Sequence, residues 1–282
     1  MSTSLSSAVR TRMQRDGLRM PKPSMTTLRL FQAVMRPNVR GEMVARIIQD
    51  DGAAVAGVLR AANSASEMSE MVHSMRAATA TSAGARRMAR LGIAVTLNPL
   101  FKLKGFELNA ERIWMQSRLA SVYAEELARR LGEHTEMAFS SALMMNIGQL
   151  MALHAAKDVI TGTGAGATVD DVQKAVEEHG PAVGPKLARL WKLPKPIAAA
   201  TSDLNKLESN DPYRAFLRVA NLGHIMARHG GDLPKKVLEH NTLVGKDHFP
   251  RHLLKFLGDR HDEFVARAEA MSGERPHKRY AA

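Results

Sequence analysis

The segment "NAERIWMQSRLASVYAEELARRLG", residues 109–132, constrains the fold more than any other part of the chain. Apolar residues recur in it at intervals of four, which is the spacing of one face of an α-helix. They are Leu119, Tyr123, Leu127 and Leu131. Gly132 follows at a point where a left-handed residue often ends a helix, so the pattern predicts one long amphipathic helix.

Helical signals continue through the rest of the chain. Aromatic residues make up only 5% of it, whereas alanine, leucine, arginine and methionine, all good helix formers, are abundant. Asp51 is a good N-cap for a helix that follows it. A helix from about Glu136 to Ala156 is apolar on nearly all faces and is expected in the core. Further helices are predicted at 168–180, 181–191, after Pro194, at 211–229, and at about 233–240 and 249–271. We therefore expect an all-α fold.

The positive charge of the chain is concentrated near its N-terminus. The net charge is +12, and residues 1–40 hold eight arginine or lysine residues against one acidic residue, Asp16. Residues 1–22 are polar and basic, so we expect a disordered arm there. Two interpretations of this arm stay open. It is a solubilising tail, or it binds an anionic partner such as nucleic acid, an acidic protein or a membrane surface.

Several kinds of site are excluded by what the chain lacks. It has no cysteine, which excludes disulfides, thiolate metal sites and cysteine nucleophiles. The N-terminus lacks the continuous apolar core of a secretory signal peptide. No run of about 18 apolar residues occurs that could span a bilayer. We therefore expect a cytoplasmic protein without a membrane span.

Five segments, in this order along the chain, resemble the HDOD family, the HD-related output domains of bacterial signalling proteins. They are "IIQDDGAAVAGVLRAANSA", "ARLG", "IWMQS", "ALMMNIG" and "VGPKLARLWKLPKPIAAA". The resemblance covers residues 23–225, although Gly52 replaces the usual proline. It implies a small N-terminal helical bundle (23–105) followed by an HD-like helical bundle (106–225). Residues 226–282 are then a C-terminal helical extension and a polar tail.

The resemblance also indicates where a metal site would lie. HD phosphohydrolases, after which the family is named, hold one or two metal ions with histidine and aspartate side chains. The corresponding positions here are Gln116, Met145, Asn146, Gly180, Leu204 and Asn205. Thioethers and amides are poor ligands for hard divalent cations, and His179, next to Gly180, could not hold a metal alone. We therefore expect no metal, no cofactor and no enzymatic activity, and we expect Gln116 to hydrogen-bond with a buried Asn146.

The function implied by the resemblance is regulatory: a non-catalytic scaffolding module in bacterial signal transduction that acts through protein–protein interaction. Two alternatives stay open, a nucleic-acid-binding regulator that uses the basic arm and a residual metal-dependent phosphohydrolase. Asn63 and Ser64 are expected to end a helix, with partner contact as the alternative. Trp191 is expected in a packed corner, and His248 and His252 on the surface. Neither the partner nor the oligomeric state can be read from these patterns.

Overall fold

The computed structural model describes residues 4–15, 22–64, 71–164, 166–202, 204, 208, 210–234, 236–237, 241 and 249–274. Every regular element in these ranges is helical, which confirms the all-α prediction. Residues Asn98–Phe101 form a short 3-10 turn between α6 and α7. The α-helices are α1 (Leu5–Gln14), α2 (Met25–Val34), α3 (Gly41–Gln49), α4 (Gly52–Ser64), α5 (Met75–Ala78), α6 (Ser82–Leu97), α7 (Glu107–Leu131), α8 (Thr135–Met144), α9 (Ile147–Thr163), α10 (Val169–Leu190), α11 (Lys195–Ala200), α12 (Arg214–Arg228), α13 (Arg251–Asp259) and α14 (His261–Ala270).

Helices α2 to α6 lie in the region where the sequence predicts a small N-terminal bundle. Helices α2, α3 and α4 pack against α6. Asp51 caps α4 as expected, since its Oδ1 accepts a hydrogen bond from the backbone N–H of Ala54 at 3.0 Å. Gly92, the last residue of the segment "ARLG", lies inside α6. A Cβ atom there would stand 2.7 Å from Cδ1 of Leu30, so this glycine lets α2 and α6 approach closely.

Helix α7 is the long helix predicted from the four-residue spacing. It runs from Glu107 to Leu131 and ends at Gly132, whose φ of 71° is left-handed. Helices α8, α12 and α14 pack against it. Near its start the buried Trp114 stacks on Phe101, with ring centroids 4.4 Å apart. The helix therefore contacts the N-terminal bundle, the HD-like bundle and the C-terminal helices.

The helix predicted from Glu136 to Ala156 is in fact two helices, α8 and α9, which meet at Met145 and Asn146. Asn146 has φ −89° and ψ 8°, and its backbone oxygen accepts a hydrogen bond from the N–H of Gln149 at 2.9 Å. An asparagine side chain competes with helical hydrogen bonding, and here its amide bonds to α7 instead. The break was hidden in the sequence because the segment is apolar on both sides of it.

The two helices predicted on either side of Gly180 are one helix, α10, with Pro181 and Pro185 inside it. Each proline lacks the backbone N–H that a helix interior uses, which normally ends or kinks a helix. Helix α10 packs along α9 and against α1 and buries Val172, Val176 and Leu187. This packing offsets the missing hydrogen bonds.

The N-terminal segment differs from the expected disorder, because residues 5–14 form helix α1. Ser4 caps the helix by accepting a hydrogen bond from the N–H of Ser7 at 3.3 Å. Val9 and Met13, one helical turn apart, are buried against α9 and α10. Arg12 forms an ion pair with Asp158 of α9 at 2.7 Å. Two apolar side chains thus anchor a segment whose average composition is polar.

The C-terminal helix predicted over 249–271 is broken at Arg260 into α13 and α14. Helix α14 packs against α7 and α4, where Phe264 meets Tyr123 edge-on with ring centroids 4.9 Å apart. The helix predicted at about 233–240 and the polar tail after residue 274 lie largely outside the described residues. No helix in the described ranges has both the length and the apolar character needed to cross a lipid bilayer.

Candidate functional site

The turn between α8 and α9 is the centre of the site that the sequence resemblance indicates. Asn146 is 5% exposed, and both ends of its side-chain amide have partners. Its Nδ2 donates to Oγ of Ser117 at 3.3 Å, and its Oδ1 accepts from Nε2 of Gln149 at 3.4 Å. Ser117 in turn donates to the backbone oxygen of Ile113 at 3.1 Å. A short chain of neutral hydrogen bonds therefore ties the turn to α7.

Gln116 does not take the place in this network that the sequence predicts for it. It lies one residue from Ser117 on α7 and is half-buried. Its Oε1 is buried and has no hydrogen-bond partner among the described residues. Asn146 bonds to Ser117 and Gln149 instead, so the expected pairing of the Gln116 and Asn146 amides is not observed. Met145, beside Asn146, is partly buried and packs against the hydrophobic core.

Helices α9 and α10 touch through their backbones at Gly148 and Gly180. A Cβ atom on Gly148 would stand 2.0 Å from the backbone oxygen of Gly180. A Cβ atom on Gly180 would stand 2.7 Å from Cα of Gln149. Contacts that short do not occur between a real Cβ and a backbone atom, so neither glycine can be replaced without moving a helix. We call Gln116, Ser117, Met145, Asn146, Gly148, Gln149 and Gly180 the closed site.

The side chain of His179, the neighbour of Gly180, contacts α1. Its Nε2 lies 2.7 Å from Oγ of Ser6, which also donates to Glu178 at 2.7 Å. The His179 side chain is only 13% exposed. The N-terminal helix therefore covers the histidine that lies closest in sequence to the implied ligand position.

The closed site offers a cation only neutral donors, namely amide carbonyl oxygens and the thioether of Met145. Gly180 has neither a donor nor room for one. Within the described ranges, no group of three or more histidine, aspartate or glutamate residues is arranged to hold a metal ion. The hydrogen bonds and backbone contacts of the closed site hold α7, α8, α9 and α10 together.

The remaining positions singled out from the sequence are dispersed. Leu204 is 8% exposed and belongs to the core, whereas Asn205 and His248 lie outside the described residues. Trp191 is 3% exposed at the end of α10, and its Nε1 has no partner in the described part of the chain. His252 is exposed on α13.

Asn63 fastens the end of α4 to a later part of the chain. Its Nδ2 donates to the backbone oxygen of Val72 at 3.0 Å, and its Oδ1 accepts from the N–H of Val72 at 2.7 Å. Ser64 is exposed and is the last residue of α4. This contact agrees with the helix-ending role expected for the pair.

Sequence reasoning missed three contributors to the closed site, Ser117, Gly148 and Gln149. Gly148 is visible in the sequence as a small residue in an apolar run, but only the approach of α10 shows why it must be small. Gln149 has the helical spacing of a core position, and it is 4% exposed with its Oε1 lacking a partner among the described residues. No sequence signal pairs it with Asn146.

Comparisons with known proteins agree with this architecture. A family model described as the HDOD domain matches residues 20–206. An HDOD domain protein of unknown function from Geobacter sulfurreducens superposes with a TM-score of 0.68 at 16% identity, covering 94% of this chain and 97% of that one. A Shewanella amazonensis SB2B protein, provisionally described as a phosphohydrolase, gives 0.64 at 21% identity, covering 94% and 98%.

A third solved structure carries a signalling description. It is a protein from Marinobacter aquaeolei VT8, provisionally described as a signal transduction protein. It superposes with a TM-score of 0.63 at 17% identity, covering 96% of this chain and 67% of that one. At such identities the likeness concerns the fold. No curated protein matches the chain.

Proposed function

Because the chain belongs to the HDOD domain family, we propose that it is a non-catalytic regulatory module that acts in signal transduction by binding a protein partner. The proposal takes the helical fold as a scaffold and assigns no chemistry to the closed site. It has two separable parts, the absence of catalysis and the presence of a partner, and each has its own test.

The observation that carries the first part is the contact between Gly148 and Gly180. A hydrolase of this fold would need side chains that converge on a metal, since the metal generates the attacking hydroxide. Here the backbones of α9 and α10 occupy the space that a ligand at position 180 would need. Asn146 contributes only a neutral amide, and that amide is engaged by Ser117 and Gln149.

Metal analysis and a hydrolysis assay on the purified full chain test this part. We expect manganese, iron and zinc at well below one ion per chain, and no hydrolysis of bis-p-nitrophenyl phosphate above background when each metal is added. One tightly bound ion per chain, together with hydrolysis that a chelator abolishes and metal restores, would overturn the non-catalytic assignment in favour of the residual hydrolase.

The second part is supported by exposed apolar residues at the amino ends of α7 and α10. Leu108 is 70% exposed and Val169 is 38% exposed. The two chain segments are adjacent, because Nδ2 of Asn109 donates to the backbone oxygen of Val169 at 2.8 Å. These two side chains form the small exposed apolar surface to which we assign the partner. The Marinobacter protein's description as a signalling protein points in the same direction.

Site-specific photo-crosslinking in the native cell tests the partner. A photoreactive residue in place of Leu108 should give one discrete adduct with another protein, whereas the same residue at Lys104, an exposed polar position before α7, should not. Equal labelling at both positions would contradict a partner-binding role for the surface at Leu108. Leu190, at the end of α10, is also exposed, and the same residue placed there is a second probe. The absence of an adduct at both Leu108 and Leu190 would contradict partner binding as well.

The nucleic-acid alternative rests on the basic arm, part of which is ordered. Residues 5–14 are a helix packed on α9 and α10, and Arg12 is paired with Asp158. Binding of DNA or RNA that falls steeply with added salt would support the alternative, since release of counterions produces that dependence.

A further inference from the structure

A cavity of about 590 Å³ lies at the junction of the N-terminal bundle, α7 and the C-terminal helix α14. The segment 71–78, helix α6, the middle of α7, Phe139 of α8 and the region around Arg267 enclose it. Its size falls in the range of about 300–1,000 Å³ typical of small-molecule sites, which often lie where domains meet. It shares no residue with the closed site.

One part of the cavity wall is apolar. It is formed by Met88, Leu91, Val122, Phe139 and Met271. Methionine side chains adapt their shape to a ligand, and an aromatic ring offers a flat surface on which another ring can lie. This wall suits a ligand with a flat apolar body.

The rest of the wall combines four arginines with small, polar and apolar residues. The arginines are Arg87, Arg90, Arg129 and Arg267, and Glu125 is the only carboxylate among the described residues that line the cavity. The side chains of Arg90 and Arg267 are 13% and 10% exposed, so these guanidinium groups are held in place and largely removed from water. We call this the arginine cavity.

Glu125 is shared by several of these arginines. Its Oε1 accepts from Arg90 at 2.8 Å and from Arg129 at 2.7 Å, and its Oε2 accepts from Arg267 at 3.1 Å. Burial alone would raise the pKa of Glu125, but the charges of Arg90, Arg267 and Arg129, with Arg87 beyond them, lower it below its usual value. The carboxylate is therefore ionised at neutral pH, and one negative charge serves a group of cations.

Further ion pairs hold the arginines of this region in place. Glu136 accepts from Arg86 and Arg90, while Glu126 accepts from Arg129, Arg130 and Arg260. Arg260 also pairs with Glu263. The guanidinium groups are therefore oriented before a ligand arrives, and charges that are partly buried in this way are poorly screened by salt.

The chemistry of the cavity suits a phosphate. Guanidinium groups bind phosphate oxygens in a forked geometry, and they keep their charge at every accessible pH. Thr81, the N-cap of α6, and Ala83 and Gly84 in its first turn also line the cavity and add the positive end of a helix dipole. The space and the apolar wall exceed what inorganic phosphate alone would fill.

From this combination we propose that the arginine cavity binds a nucleoside phosphate, with the phosphate among the arginines and the base against the apolar wall. The ligand would bridge α6, α7 and α14, which come from the three successive parts of the chain. Its binding does not depend on the identity of the protein partner proposed above.

Isothermal titration calorimetry on the full chain at low salt tests the proposal. The probes are the four common ribonucleoside mono- and triphosphates, the matching nucleosides and inorganic phosphate. We expect at least one nucleotide to bind with a Kd of about 0.1 mM or lower. Its nucleoside should bind at least about tenfold more weakly, because the charge-assisted hydrogen bonds are lost.

A matched pair of variants locates the binding. Arg129 lines the cavity with a half-exposed side chain, while its neighbour Arg130 pairs with the same Glu126 but does not line the cavity. Arg129→Gln should weaken nucleotide binding about tenfold, and Arg130→Gln should change it less than about twofold. Equal effects of the two variants would overturn the proposal.

A second pair keeps the test independent of charge and of the ion-pair network. Ala83→Trp places a large ring at an exposed lining position, whereas Ser82→Trp places it one residue away, outside the lining. Only the first should reduce binding. Failure of every nucleotide to bind at millimolar concentration, or equal binding of nucleotide and nucleoside, would also overturn the proposal.

Discussion

The closed site and the arginine cavity both lie against α7, yet they differ in almost every physical respect. At the closed site, Ser117 faces the neutral amide of Asn146, and two glycines bring helix backbones into contact. Two to three turns further along α7, Glu125 and Arg129 face an open volume lined by further arginines. One region has neither charge nor space, and the other has both.

This difference shows that the place where a fold family usually carries its chemistry and the place where a given member can bind a ligand need not coincide. The closed site lies at positions where the sequence resemblance implies a metal centre, but its residues join four helices. The arginine cavity has no counterpart among the positions that the resemblance indicates, yet it has the room and the charge that a site needs. The predictions below test this division, beginning with the largest expected effect.

Loss of the shared carboxylate should be the most damaging change on the cavity side. Glu125→Gln leaves the largely buried Arg90 and Arg267 without this counter-charge. We expect the free energy of unfolding to fall by about 4 kcal/mol in urea denaturation, as for other broken buried ion pairs. Glu42→Gln, which removes the exposed partner of Arg46, is the control and should cost less than about 0.5 kcal/mol.

Wild type and Glu125→Gln can also be compared at acid pH. The pKa of Glu125 is lowered from its usual 4.5, because the arginines outweigh the effect of burial. Its ion pairs therefore stabilise the fold fully above that value, and their contribution is lost as the pH falls through the lower folded-state pKa. The stability difference between wild type and Glu125→Gln should shrink below about pH 4.5, and a constant difference down to pH 3 would contradict the ionised assignment.

A methyl group should be enough to disturb the closed site. Gly148→Ala places a Cβ atom 2.0 Å from the backbone oxygen of Gly180, so α9 and α10 must separate. We expect a loss of about 3 kcal/mol in the free energy of unfolding. Gly162→Ala, on the same helix but with nothing within 4 Å of its Cβ, should stabilise the chain by about 0.5–1 kcal/mol. Equal outcomes for the two variants would contradict the backbone contact.

The amide network should contribute less than the backbone contact. Asn146→Ala removes the donor to Ser117 and the acceptor for Gln149, and leaves the buried Gln149 amide without that bond. A loss of about 1–2 kcal/mol is expected, measured by thermal and urea unfolding. Asn63→Ala is the control, because it also removes two hydrogen bonds but at an exposed position. It should lower the free energy of unfolding by less than Asn146→Ala does. A neutral Asn146→Ala would show that the turn is held by packing alone.

A last effect appears only on acidification and concerns His224 on α12, the helix that packs against α7 and α8. Burial lowers the pKa of His224 from 6.5 to about 4, with a further lowering by Arg228 that Glu177 partly opposes. Between these values the unfolded chain binds a proton that the folded chain does not, so stability falls as the pH drops from about 6.5 toward 4. His224→Gln should flatten this part of the stability profile, whereas the exposed His252→Gln should leave it unchanged.

Much of the fold could be predicted from the sequence because helix formation leaves a periodic pattern. The four-residue stripe from Leu119 to Leu131, the cap at Asp51 and the end at Gly132 all follow from local chemistry, and the structure bears them out. The break at Asn146 and the continuity of α10 through Pro181 depend on neighbouring helices instead. Local pattern cannot report a contact whose partner is far away in the chain.

The candidate site, like the fold, could be predicted from the sequence only in part. The prediction that Gln116, Met145 and Asn146 do not hold a metal needs only the chemistry of their donor atoms, so it could be made from the sequence. It could not show that Asn146 bonds to Ser117 and not to Gln116, since the two neighbours on α7 differ by 100° of helix rotation. The arginine cavity was invisible because its residues come from separate helices and read individually as ordinary surface charges.

Helix α1 has a practical consequence for anyone who trims this protein. The family match begins at residue 20, so a chain shortened to that boundary would retain every recognisable motif. It would also lose Val9 and Met13, and the grooves of α9 and α10 that receive them would open to water. Such a fragment should aggregate or capture unrelated apolar peptides. The sequence family and the folding unit therefore begin at different residues, and the cloning limit belongs before Ser4.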